Sequence, residues 1–140
     1  MLYTNKHGIC MRRKSLSLAL LFISTLLLLS ISFPTLAEPS QEVIMVPANY
    51  PTIQMAIDAA APGSIILVDS GIYFEHVLIN KTLKLVGRDK ANTIIDGEGS
   101  GTVINATVDN VLVDGFTVQN GWRGISLYHS HNSIISGNIL

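Results

Sequence analysis

The sequence predicts an all-β solenoid: a single-stranded parallel β-helix of very short strands stacked coil on coil. Three observations point there. First, Asn110–Val118 and Asn132–Leu140 lie 22 residues apart and match in outline, with Asn110 against Asn132, Val113 against Ile135, Gly115 against Gly137 and Val118 against Leu140. A period in the low twenties, with apolar alternation and a glycine turn in each copy, marks a repeat of stacked short strands. Second, apolar runs after Ser64 are three to seven residues long and mostly end in Gly, Asn or Asp, the residues that turns demand. No helical segment separates them, which excludes a doubly wound α/β fold. Third, Asn120-Gly121 and Gly137-Asn138 recur between short strands instead of joining two long alternating ones, so the turns belong to coils and not to hairpins.

Each element follows in order. Val43–Val46 is a β-prone run closed by Pro47. In the next segment Ile53, Ala56, Ile57 and Ala60 fall at i, i+3, i+4 and i+7, which is one helical face. Thr52 is its N-cap and Pro62-Gly63 its stop. A helix of two to three turns is marginal alone and must pack on something. Strands are then predicted at Ile65–Val68, Tyr73–Ile79, Leu83–Val86, Thr93–Ile95, Val103–Val108, Val111–Val113, Phe116–Val118, Gly124–Tyr128 and Ser133–Ile135. Val111, Val113, Val118, Ile135 and Leu140 are read as inward. Asn110 over Asn132 is read as a turn ladder that uses asparagine's tolerance for left-handed backbone. Gly87 to Gly115 spans 28 residues, so Asp89–Asn92 or Glu98–Gly101 must bulge from the coil. The period leaves open whether Val103 or Ile104 points inward. Four coils and the start of another are expected.

The first 37 residues read differently. Lys6, Arg12, Arg13 and Lys14 precede a charge-free run, Ser15 to Ala37, with small residues at −3 and −1 of a cut after Ala37. This is the pattern of a secretory signal peptide, and counting from Met11 gives it an ordinary length. An uncleaved anchor is the alternative, since ~20 apolar residues span a bilayer; Pro34 and the Ala37 site favour cleavage. All ten acids lie after Ala37, whereas four of the nine Lys and Arg lie before it. The remainder therefore carries a net charge of −5 and no basic patch, which argues against a nucleic-acid partner. Membrane association is expected only through an uncleaved leader. The single cysteine, Cys10, sits in the leader, so an exported chain has no disulfide.

Certain segments also resemble a known group: Tyr50-Pro-Thr-Ile-Gln-Met-Ala-Ile-Asp-Ala-Ala, Pro62-Gly-Ser-Ile-Ile-Leu-Val, Gly71-Ile-Tyr-Phe-Glu-His-Val, Lys81-Thr-Leu-Lys-Leu-Val-Gly, Thr93-Ile-Ile-Asp-Gly, and the repeats around Gly115 and Gly137. Together they resemble the right-handed parallel β-helix proteins, and more narrowly the NosD-like and pectate-lyase-like carbohydrate-binding and sugar-hydrolase domains. The resemblance covers Val43 to Leu140. It implies that the helix at 52–60 plugs the first coil, that 38–140 forms the N-terminal coils of a longer domain, and that a secreted, periplasmic or cell-envelope location is to be expected. Leu140, an inward position, would leave the C-terminal coil open and able to self-associate.

This scaffold serves lyases, hydrolases and plain binding proteins alike, so function must be read from side chains. Asp96, Glu98, Asp109 and Asp114 are the acids available on the coils, but no pair of carboxylates with an arginine is arranged among them. No catalytic residue is assigned, and Asp96-Gly97 and Asp114-Gly115 read more simply as turns. His129 and His131 stand at i, i+2, on one side if the segment is extended, where copper or zinc is conceivable. Two imidazoles fall short of a ligand set, and a solvent-facing polar turn is the simpler reading. Asp96–Gly101 lacks the ligand spacing of a calcium loop, and no cofactor is predicted. Gly121-Trp122-Arg123-Gly124 presents the only tryptophan with a cation beside it. An indole face stacks on sugar rings and arginine pairs with a uronate carboxylate, with Tyr128 extending the surface. A tryptophan folded onto the coil's flank is the structural alternative. Asn80-Lys81-Thr82 and Asn105-Ala106-Thr107 are N-glycosylation triplets. A carbohydrate-binding scaffold therefore leads, ahead of the N-terminal part of a polysaccharide lyase or hydrolase and a copper-handling factor of the NosD kind.

Overall fold

The computed structural model describes residues 41–140; the leader read at 1–37 lies outside them. Eleven short strands and one helix wind as a parallel solenoid: β1 Val43–Val46, α1 Ile53–Ala59, β2 Ile65–Val68, β3 Gly71–Phe74, β4 Val77–Ile79, β5 Lys84–Gly87, β6 Thr93–Asp96, β7 Thr102–Ala106, β8 Leu112–Asp114, β9 Thr117–Gln119, β10 Arg123–Leu127 and β11 Ile134–Ser136. They form three sheets, ordered β1-β2-β5-β8-β11, β10-β7-β4 and β3-β6-β9, and every pairing is parallel. The five-stranded sheet steps in register from Val43 to Ile65, Lys84, Leu112 and Ile134, which makes four coils of 22, 19, 28 and 22 residues.

The long coil obtains its extra length from both loops that the sequence offered. Ile94 to Ile104 takes ten residues, whereas the next coil covers Thr117 to Ile125 in eight; Lys84 to Ile94 takes ten where Leu112 to Thr117 takes five. Most of the bulge thus lies at 88–92 and a smaller part at 97–101. Hydrogen bonds close the larger one on itself, from the backbone N–H of Ala91 and the Asn92 amide to the Asp89 carboxylate.

The core is a bore filled by aliphatic columns. Ile44, Ile66, Leu85 and Val113 stack on one another through the five-stranded sheet, and Val46 sits over Val68. Ile135 continues the first column in a half-buried position. Ile95 stacks under Val118, and Val77 and Ile79 stack under Ile104 and Ala106. The question of Val103 or Ile104 resolves to both. Ile104 lies between Val77 and Ile125, while Val103 is covered by backbone at Gly97 and Gly121.

At one corner glycines stack. A Cβ on Gly87 would collide with the Gly115 carbonyl and a Cβ on Gly115 with that of Gly87; Gly115 is also left-handed, at φ +82°. The buried ring of Phe116 fills the space beside them. Only residues without a side chain permit so close a backbone approach.

Helix α1 closes the first coil. Ile53, Ala56, Ile57 and Ala60, the face read from spacing, are all buried. Thr52 accepts from the Met55 N–H as N-cap. The Glu75 carboxylate accepts from the N–H groups of Ile53 and Gln54, both at 3.0 Å, and the Lys81 ammonium donates to the carbonyls of Asp58 and Ala60, both at 3.0 Å. An anion thus sits at the positive end of the helix and a cation at its negative end. Gln54 seals the free edge of β4, accepting from the Leu78 N–H at 2.8 Å and donating to the Leu78 carbonyl.

Several expectations need correction. Tyr73–Ile79 is two strands in two sheets, because Glu75 turns to cap the helix and a corner forms at Glu75-His76. Asn110 and Asn132 are left-handed as expected, at φ +59° and +54°, but the side-chain bonds at that turn come from Asp109, Ser130 and Ser133. The bonding asparagine is Asn138, which accepts from Phe116 N–H and donates to the Val113 carbonyl one coil below. Leu140 keeps the expected register over Val118 and lies against Gly124.

Gly115→Ala should cost about 2 kcal/mol or more, from left-handed strain and the collision with Gly87. Gly99→Ala, also left-handed but with open space around it, should cost about 1 kcal/mol; urea denaturation midpoints compare the two. Glu75→Gln should lower stability by about 1–2 kcal/mol through loss of a charged helix cap, with a smaller effect at high salt.

Candidate functional site

Trp122 and Arg123 stand at the corner between β9 and β10. Asn120, at φ +54°, and Gly121 turn the chain there, and a Cβ on Gly121 would strike Val103. The corner has no room to fold a large side chain inward, and Trp122 is 82% exposed. It lines a shallow cleft of about 340 Å³ with Gly101, Thr102 and Arg123. A second cleft, of about 300 Å³, is lined by Val118, Gln119, Asn120, Gly121, Gly124 and Leu140. The indole is thus exposed at the mouth of the first cleft, and the second lies against the adjoining Asn120 and Gly121. Arg123 is exposed beside it, and its backbone pairs with Thr102.

Tyr128 is also exposed, but it follows β10 whereas Trp122 precedes it. At ~3.3 Å per strand residue the two are roughly 20 Å apart. A single sugar ring cannot touch both; an extended chain can. Tyr128 meets His129 edge to face, with ring centroids 4.2 Å apart.

The platform beneath Trp122 is held by Asp96. This carboxylate is 7% exposed and accepts from the Glu98 N–H at 2.9 Å, the Gln119 amide at 3.0 Å and the Asn120 amide at 2.8 Å. The bond from Gln119, then those from Glu98 and Asn120, hold its pKa below the ordinary value against the opposing effect of burial. Asp96 thus ties the 97–101 bulge to the turn that carries Trp122. Sequence reading had it as the end of a strand. Its reach to Gln119 and Asn120, more than twenty residues on, is set by coil stacking alone.

The other acids are occupied in similar ways. Asp109 accepts from the His131 N–H at 2.6 Å and Asp114 from the Ser136 hydroxyl at 2.8 Å, each one coil apart. Glu98 is exposed, with φ +50°. Among the described residues no group of three or more His, Cys, Asp or Glu converges where a metal could bind. His129 has φ +53°, so His129-Ser130-His131 is a turn and not the extended segment that would set both imidazoles on one side. Ser130 pins that turn to the Val108 carbonyl at 2.5 Å.

One surface escaped the sequence reading. In the five-stranded sheet the outward columns are Val43, Ile65, Lys84, Leu112, Ile134 and Met45, Leu67, Val86, Asp114, Ser136. Seven of those ten side chains are aliphatic or thioether, with Val43 54% and Ile134 59% exposed. Near-continuous apolar runs such as Ile65–Val68 are the signal, since a strand solvated on one face alternates instead.

No family model matches this chain, and no solved structure matches it. A cell surface glycoprotein of Methanothermus fervidus is 32% identical over 95 residues, which make up 66% of this chain and 16% of that protein. Among the described residues no helix is long and apolar enough to cross a membrane.

The lowered pKa of Asp96 has a consequence for acid stability. Its folded pKa lies below the unfolded value, so the stabilisation it gives is complete above the ordinary aspartate range and is lost as pH falls below about 4. Asp89, lowered by the Asn92 and Ala91 bonds, adds to the same limb. Asp96→Asn should flatten the acid limb and lower the neutral-pH melting temperature, because an amide faces the Gln119 and Asn120 donors with a donor of its own. Thermal melts across a pH series read both effects.

Proposed function

We propose that this chain is an exported β-solenoid of the cell surface that binds extended carbohydrate along the flank of β10, as a scaffold without turnover. The observation that carries the binding reading is Trp122, a large aromatic presented to solvent just after a turn whose Gln119 and Asn120 side chains are tied to Asp96. Monomeric surfaces rarely spend a tryptophan on exposure alone, and an indole offers a large flat apolar face for the C–H face of a sugar ring to cover. Arg123 beside it suits a uronate or other acidic sugar through paired charged hydrogen bonds. Location at the surface is supported by the similarity to a cell surface glycoprotein and by the leader pattern at 1–37. The resemblance to NosD-like and pectate-lyase-like domains supports the sugar as ligand. Binding is preferred to catalysis because Asp96, Asp109 and Asp114 are each engaged in holding turns.

The test is a panel of immobilised neutral and acidic polysaccharides probed with the exported protein. Trp122→Ala should weaken binding about tenfold with an unchanged melting temperature. Arg123→Ala should weaken acidic glycans selectively and remove the salt dependence. Release of reducing ends or unsaturated uronates would overturn the scaffold reading; equal binding by Trp122→Ala would overturn the site.

A further inference from the structure

The turn after β4 holds an asparagine without a structural task. The other turn asparagines among the described residues all work. Asn49 accepts from the Met45 N–H at 2.7 Å, Asn92 donates to Asp89, Asn120 donates to Asp96, and Asn138 bonds both Phe116 and Val113. Asn110 and Asn132 supply left-handed backbone. Asn80 is exposed, lies outside the left-handed region, and among the described residues its carboxamide bonds to nothing. The two residues after it are fixed instead. Lys81 is held on the carbonyls of Asp58 and Ala60, and the Thr82 hydroxyl donates to the Asp109 carbonyl at 3.0 Å. A pinned backbone therefore offers a free carboxamide to solvent, inside an Asn-Lys-Thr triplet.

We propose that Asn80 is an N-glycan acceptor, an assignment that rests on the export reading above. In the transfer the Asn80 Nδ2 attacks the anomeric carbon of a phosphate-activated, lipid-linked oligosaccharide. The N–C bond forms as the C–O bond to phosphate breaks. The lipid phosphate leaves with the electron pair, and the amide proton passes to the transferase.

The second triplet, Asn105-Ala106-Thr107, is an internal control. Asn105 sits within β7, half-buried on the outer face between Leu78 and Ser126, with its backbone in register with strands on both sides. It has no turn in which to present its amide. Asn80 is also remote from Trp122. Asn80 follows β4, at one edge of the sheet ordered β10-β7-β4, whereas Trp122 precedes β10 at the other edge. With all strands parallel, the two lie at opposite ends of the strand direction as well.

The experiment uses the full chain purified from its own cells. Intact cells are first labelled with a membrane-impermeant amine reagent, and tryptic peptides spanning Asn80 and Asn105 are then analysed by mass spectrometry. Surface-labelled protein should carry a glycan mass on the Asn80 peptide and none on the Asn105 peptide. Asn80→Gln and Thr82→Ala should both abolish it, and Thr82→Ser should retain it. Surface-labelled protein with unmodified Asn80 overturns the acceptor and leaves the surface reading intact. A chain that is never labelled from outside overturns both. A glycan on Asn105 alone overturns the assignment of the site.

Discussion

Stacking of one coil directly on the next, at a strand spacing of about 4.8 Å, is the constraint from which the rest of this molecule follows. It fixes each inward side chain over a counterpart 19 to 28 residues away, so the bore is built from columns such as Ile44, Ile66, Leu85 and Val113. It also forces backbones together at the corners, where Gly87 and Gly115 leave no room for a Cβ. Length that does not fit a coil can leave only outward, as it does at 88–92 and 97–101.

A stack of coils has a beginning, and here it is covered by a helix too short to stand alone. Seven residues gain stability from the bore beneath them and from charges brought by other elements. Glu75 arrives from the corner between β3 and β4 and Lys81 from the turn after β4, one at each end of the helix dipole. Gln54 then satisfies the exposed edge of β4 with a side-chain amide, which matches a strand's donor and acceptor at one residue. Cap and coil are thus interdependent: the residues that hold the helix are placed by the strands it protects.

The proposed sites lie at the corners for the same reason. Strand positions are bound to their neighbours above and below, whereas turns can change a residue without disturbing a column. Trp122 and Arg123 occupy one such corner, Tyr128 and His129 another, Asn80 a third. Asp96 connects the two levels. Its three bonds convert the regularity of the stack into a rigid footing for a side chain that itself touches little. The outward face of the five-stranded sheet is largely apolar, because its strands are apolar on both sides.

Much of this was legible in the chain. The 22-residue echo between Asn110 and Asn132, the switch from helical to alternating periodicity at Ser64, and the buried face of α1 were all present as spacing, because side-chain direction in a strand or helix depends on local geometry alone. The left-handed asparagines were legible for the same reason, whereas the sequence left Trp122 open between projecting and folding onto the flank, and only the structure shows it 82% exposed. What local spacing could not contain was decided by which coil lies on which. Val103 is buried because Gly97 and Gly121 cover it, the run Tyr73–Ile79 breaks because Glu75 is drawn to a helix twenty residues earlier, and Asp96 becomes a buried anchor because Gln119 and Asn120 arrive above it. Those partners are neighbours only once the coils have closed, and the number of residues in each coil, not the pattern within it, determines who meets whom.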